Sequence, residues 1–92
     1  MIYESTKEGE VVRALQPGDI ARAMHPNSTA KACVANSTAV AWAAGSTAVA
    51  LAEGSTAVAW VAGSIAEARA KGSTAVAGVA GAIAIPYAKS AA

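Results

Sequence analysis

Residues 27–80 read NSTAKACVA NSTAVAWAA GSTAVALAE GSTAVAWVA GSIAEARAK GSTAVAGVA, six segments of nine residues that each begin with Asn or Gly. The series extends in both directions. Gly9, Gly18, Asn27, Asn36, Gly45, Gly54, Gly63, Gly72 and Gly81 are evenly spaced and use both asparagines and all but one of the 8 glycines. Gly and Asn are the residue types that best tolerate positive φ. The spacing therefore predicts one special turn made nine times.

Between the turns the pattern alternates with period two, which is a strand signal. Fourth positions are Val12 and then Ala21, Ala30, Ala39, Ala48, Ala57, Ala66, Ala75 and Ala84. Sixth positions run from Ala14 to Ala77 as alanine and end at Pro86. Third, fifth and seventh positions vary and include Arg13, Arg22, Lys31, Glu67 and Arg69. Charged side chains are almost never buried without a partner, so the alanine set should face inward and the Thr/Val/Trp set outward. The serines at second positions, Ser28 to Ser73, should bond to turn backbone. Alanine is a strong helix former, but the recurring Gly, the β-branched Thr and Val, and the lack of a 3.6-residue stripe argue against helices.

A strand and a turn of nine residues do not close a coil alone. Either two segments form an 18-residue, two-sided coil, or three chains wind together. From residue 27 onward, alternate segments help to decide between these. Those starting at 36, 54 and 72 carry no charge, whereas those starting at 27, 45, 63 and 81 carry Lys31, Glu53, Glu67, Arg69, Lys71 and Lys89. A period of 18 explains this segregation and favours the two-sided coil. The expected fold is all-β: a narrow parallel β-solenoid with an alanine-lined interior. Residues 1–8 are read as an N-terminal cap, 9–89 as nine repeats and 90–92 as a tail. One face carries Thr38, Val40, Trp42, Thr56, Val58, Trp60, Thr74 and Val76. The other is charged and mixed, from Thr29, Lys31 and Cys33 to Tyr87.

The ends carry further signals. Ser5-Thr6-Lys7-Glu8 has the form of a capping box at a helix start, but Gly9 follows at once. Pro17-Gly18 and Pro26-Asn27 are turn dipeptides. Pro86 removes a ladder donor, as expected of a residue that blunts a solenoid edge.

Composition limits the function classes. The 92 residues form at most one domain, and the net charge of +1 gives no field for nucleic acid. The start lacks an apolar signal-peptide region, so the chain is expected in the cytoplasm or as part of a virion or surface assembly. Residues 33–52 are uncharged but interrupted by Asn, Ser, Thr and Gly, which is poor membrane-spanning material. Cys33 is the one cysteine and His25 the one histidine. Neither has the partners that a nucleophile or a metal site needs. The expectation is a protein with no catalytic residues, no cofactor and no metal. A core of alanine methyl groups buries little area, so oligomerisation or long backbone ladders must add stability.

The stretch NSTAVAWAAGSTAVA resembles the head repeats of trimeric autotransporter adhesins, although Ala41, Ala50 and Ala59 stand where those have glycine. That likeness, spanning residues 27–80, implies a parallel β-roll and a place in a trimeric surface structure. The Thr38/Val40, Thr56/Val58 and Thr74/Val76 ranks are similar to those of β-solenoid ice-binding proteins, which implies ice as a ligand. The expected function is a structural or assembly module, a homo-oligomer or part of a fibre, adhesin head or virion decoration. Ice binding and inhibitory docking on another protein are the alternatives.

Overall fold

A computed structural model describes residues 2–85, which contain ten short strands and no helix. They are β1 (Ile2–Glu4), β2 (Val11–Ala14), β3 (Ile20–Ala23), β4 (Thr29–Ala32), β5 (Thr38–Ala41), β6 (Thr47–Ala50), β7 (Thr56–Ala59), β8 (Ile65–Ala68), β9 (Thr74–Ala77) and β10 (Ile83–Ile85). Odd and even strands separate into two parallel five-stranded sheets, β1-β3-β5-β7-β9 and β10-β8-β6-β4-β2. Every pairing joins residues 18 apart, such as Thr38 with Thr56 and Thr47 with Ile65. The chain is a two-sided β-solenoid of about five coils, with coils closed within one chain.

The corners form as the spacing predicts. All seven glycines of the ninefold series have φ between 78° and 88°, and Asn27 and Asn36 have φ of 62° and 64°. In most corners the N–H of the following residue donates to the carbonyl three residues earlier, as Ser46 does to Ala43 (3.0 Å). Positive φ at the third residue alone is the requirement of a type II turn, which also favours proline second. Pro17 and Pro26 occupy that second place.

The serine then locks the corner. Ser46 Oγ donates to the Ala43 carbonyl and accepts from the Ala43 N–H. Ser28, Ser37, Ser55, Ser64 and Ser73 repeat both bonds. Corners also bond to corners one coil away, as Gly45 N–H does to Gly63 O (3.1 Å) and Gly63 N–H to Gly81 O (3.0 Å). The backbone is thus paired in turns as well as in strands, which satisfies groups that would be costly to bury unpaired.

The interior is a double layer of methyl groups. Ala21, Ala23, Ala30, Ala32, Ala39, Ala41, Ala48, Ala50, Ala57, Ala59 and Ala66 are wholly buried. The inside and outside assignment from the alternation is therefore correct.

Ser5-Thr6-Lys7-Glu8 starts no helix. Ile2–Glu4 instead pairs in register with Ile20–Arg22 as the first rung of the odd sheet. The acid that reaches back is Glu10, which accepts from the Thr6 N–H and hydroxyl at the first corner. The Thr6 N–H holds the Glu10 carboxyl below its usual value. The N-terminal cap segment thus supplies strand β1. Met1, Pro86, Tyr87, Lys89 and the tail at 90–92 lie outside the described residues, and so does the edge-blunting role read for Pro86.

Candidate functional site

The outer face of the odd sheet gathers all eight residues singled out from the sequence. In-register pairing of β5, β7 and β9 aligns Thr38-Thr56-Thr74 and Val40-Val58-Val76 in two ranks. Trp42, Trp60 and Gly78 follow directly after those strands as a third rank. Each donates its N–H to the preceding coil, Trp42 to Ala23 O (2.9 Å), Trp60 to Ala41 O (3.0 Å) and Gly78 to Ala59 O (2.8 Å). The indole rings stack with centroids 5.9 Å apart and planes 15° from parallel.

Exposure within this face is uneven. Trp42 is 43% exposed, Trp60 42% and Val76 40%, whereas Val40 is only 8% exposed. Val40 points outward, but Arg22 and Val58 flank it in the same rank. Neighbours one coil away, about 4.8 Å distant, cover it. Thr38 and Thr56 are half-buried for the same reason, and Thr74 is exposed near the end of the rank. The apolar surface open to a partner is mostly indole and Val76.

Gly78 is the glycine outside the ninefold series, and the structure gives its reason. A Cβ there would lie 2.6 Å from Cε3 and 2.7 Å from Cζ3 of Trp60. The missing side chain lets the Trp60 ring lean across the next coil. The sequence shows this glycine as an exception, but not the ring that fills its place.

The uncharged zone begins at the third coil. In the first two coils the same rank holds Glu4 and Arg22, joined by an ion pair of 3.0 Å. Other candidates for chemistry remain isolated. Ser5 Oγ accepts from the Met24 N–H (2.8 Å) and lies 3.4 Å from His25 Nδ1. Cys33 is partly exposed, with its thiol 3.8 Å from the Lys31 carbonyl. Glu67 and Arg69 form a 3.6 Å surface pair. Among the described residues no three His, Cys, Asp or Glu side chains converge on a possible metal site, and no pocket opens. No described helix is long and apolar enough to cross a membrane.

Comparison with protein-family models, curated proteins and solved structures finds no match.

Proposed function

We propose that this chain is a non-enzymatic assembly module that docks a second copy of itself through the uncharged Thr/Val/Trp face. The observation that carries this reading is the stacked Trp42–Trp60 pair, two-fifths exposed, beside ranks whose third to fifth coils carry no charge. Tryptophan is enriched where interfaces concentrate their energy. A charge-free patch also meets its own copy without opposing like charges. Three rungs about 4.8 Å apart, each a strand about 13 Å long, give a strand footprint of about 190 Å², which the indoles just past the strand ends extend. A fibre, an adhesin head and a virion decoration are all settings that use such a module.

Trp42→Asp tests it. A carboxylate placed beside Trp60 meets the partner's apolar face and loses its water there, which is costly without a partner charge. The variant is expected to keep its β circular dichroism and to sediment at lower mass than the parent. An unchanged sedimentation coefficient rejects the odd face as an interface.

A second reading has one observation in its favour. The Thr and Val ranks are in register, with spacings of about 4.8 Å between coils and about 6.6 Å along each strand. Such a regular array suits ice. It predicts thermal hysteresis that Thr56→Tyr abolishes, and its absence at high protein concentration removes the reading. The half-buried Thr38 and Thr56 beside protruding indoles favour a protein partner over a flat crystal plane.

A further inference from the structure

The even sheet carries the charged face, yet its outer side is also rich in exposed apolar groups. Val11, Leu15, Leu51, Ile83 and Ile85 are all exposed there. Its central rank runs Arg13, Lys31, Val49, Glu67, Ile85 from the first coil to the last. Arg13 and Lys31 have no ion-pair partner among the described residues. Within this rank basic groups thus occupy one end and an acid the other, with Val49 midway, and Glu67 shares its charge with Arg69 of the neighbouring rank at 3.6 Å.

Two in-plane two-fold arrangements let this face meet its copy. If the axis runs along the solenoid, each coil meets the same coil. Arg13, Lys31 and Glu67 then each oppose themselves, and like-charge opposition penalises the contact. If the axis runs along the strands through Val49, the coil order reverses. Lys31 then faces Glu67 of the second copy, and the symmetry makes that pair twice. Leu51 meets Leu51 and Val11 meets Ile83, Arg13 comes opposite Ile85, and Val49, buried under Lys31 and Glu67, marks the axis. The charge order selects the second arrangement.

We infer that the outer face of the even sheet docks a second copy of this chain in reversed coil order, with Lys31 paired to Glu67 across a two-fold axis at Val49. Five rungs give a footprint of about 300 Å² per copy, well short of the roughly 800 Å² per partner of a standard stable interface. This contact is accordingly weak alone. It rests on the assembly reading above in one consequence: the odd and even faces lie on opposite sides of a thin body. Contacts through both do not close on each other, so copies stack into an open-ended array.

The experiment separates the two faces. At rising concentration the parent is expected to grow beyond a dimer in sedimentation. Trp42→Asp leaves the even face alone and stops growth at a dimer. In that Trp42→Asp background, Lys31→Glu sets carboxylate against carboxylate across the axis, and Glu67→Lys sets ammonium against ammonium. Each variant is expected to weaken the dimer by about tenfold or more, because two attractive pairs become repulsive. Mixing the two variants restores opposite charges in trans, and the mixture is expected to dimerise as the parent does and to weaken in high salt. Variants that dimerise unchanged alone, or a mixture that stays monomeric, overturn the inference. If only the odd-face reading fails, Trp42→Asp leaves the parent's mass unchanged while Lys31→Glu alone yields monomers. If only the even-face inference fails, Lys31→Glu has no effect and Trp42→Asp yields monomers.

Discussion

Ala57→Leu is expected to lower the melting temperature by about 10–20 °C, the equivalent of about 2–3 kcal/mol in a domain of this size. Ala57 is wholly buried in the odd sheet's inward layer, between Ala39 and Ala75 of the adjoining coils. The opposing layer is made of alanine too, so the three extra carbons of leucine have no neighbouring void to enter. The sheets would have to separate locally, but the corner and strand ladders fix each coil to the next about 4.8 Å away. Strain therefore spreads through hydrogen bonds instead of being absorbed by rotamer changes. With total stability of roughly 5–15 kcal/mol in ordinary domains, this is a large fraction from one residue. Thermal unfolding followed by circular dichroism measures it. An unchanged melting temperature would mean that the interior accommodates long side chains and is not the close-packed methyl layer described.

Ser46→Ala is expected to cost about 1–3 kcal/mol, because it strips the Ala43 backbone of its side-chain partner inside the protein. Ser46 is wholly buried, and its hydroxyl serves both the N–H and the C=O of Ala43. The Ala43 carbonyl keeps the Ser46 N–H, but the Ala43 N–H loses the acceptor it has there. Ser73 provides the internal comparison. It makes the same two bonds to Ala70 but is only partly buried. Water can reach the groups freed there and replace the lost partner. Ser73→Ala is thus expected to be distinctly milder than Ser46→Ala in chemical denaturation. Equal losses at both sites would show that burial is not what makes the serine clamp valuable.

Much of the fold is legible in the chain because its determinants are local. Positive φ at Gly45 or Asn36 follows from the residue type, and inward alanines follow from strand alternation. The 18-residue coil is readable because charge segregates between alternate segments. The candidate face is legible to the same extent, since Thr38, Val40 and Trp42 have to share a side with Thr56, Val58 and Trp60. What the pattern hides is the extent to which ranks cover their own members. Val40 and Val49 point outward and are nevertheless buried, at 8% and 7% exposure. Their cover comes from residues 18 positions away, Arg22 and Val58 for one, Lys31 and Glu67 for the other. The first rung is hidden for a related reason. Ile2–Glu4 lacks the Gly-Ser-Thr lead-in, and only its pairing with Ile20–Arg22 makes it a strand of the odd sheet.

The sequence by itself determined the corners, the alternation and the two unlike faces, because turn chemistry and side-chain direction act over a few neighbouring residues. The tertiary structure alone decided that Trp60 leans over Gly78, that Trp42 stacks upon it, and which outward side chains stay open to a partner. Those outcomes depend on contacts between coils, where the shape of a side chain is met by one that the chain supplies a full turn later.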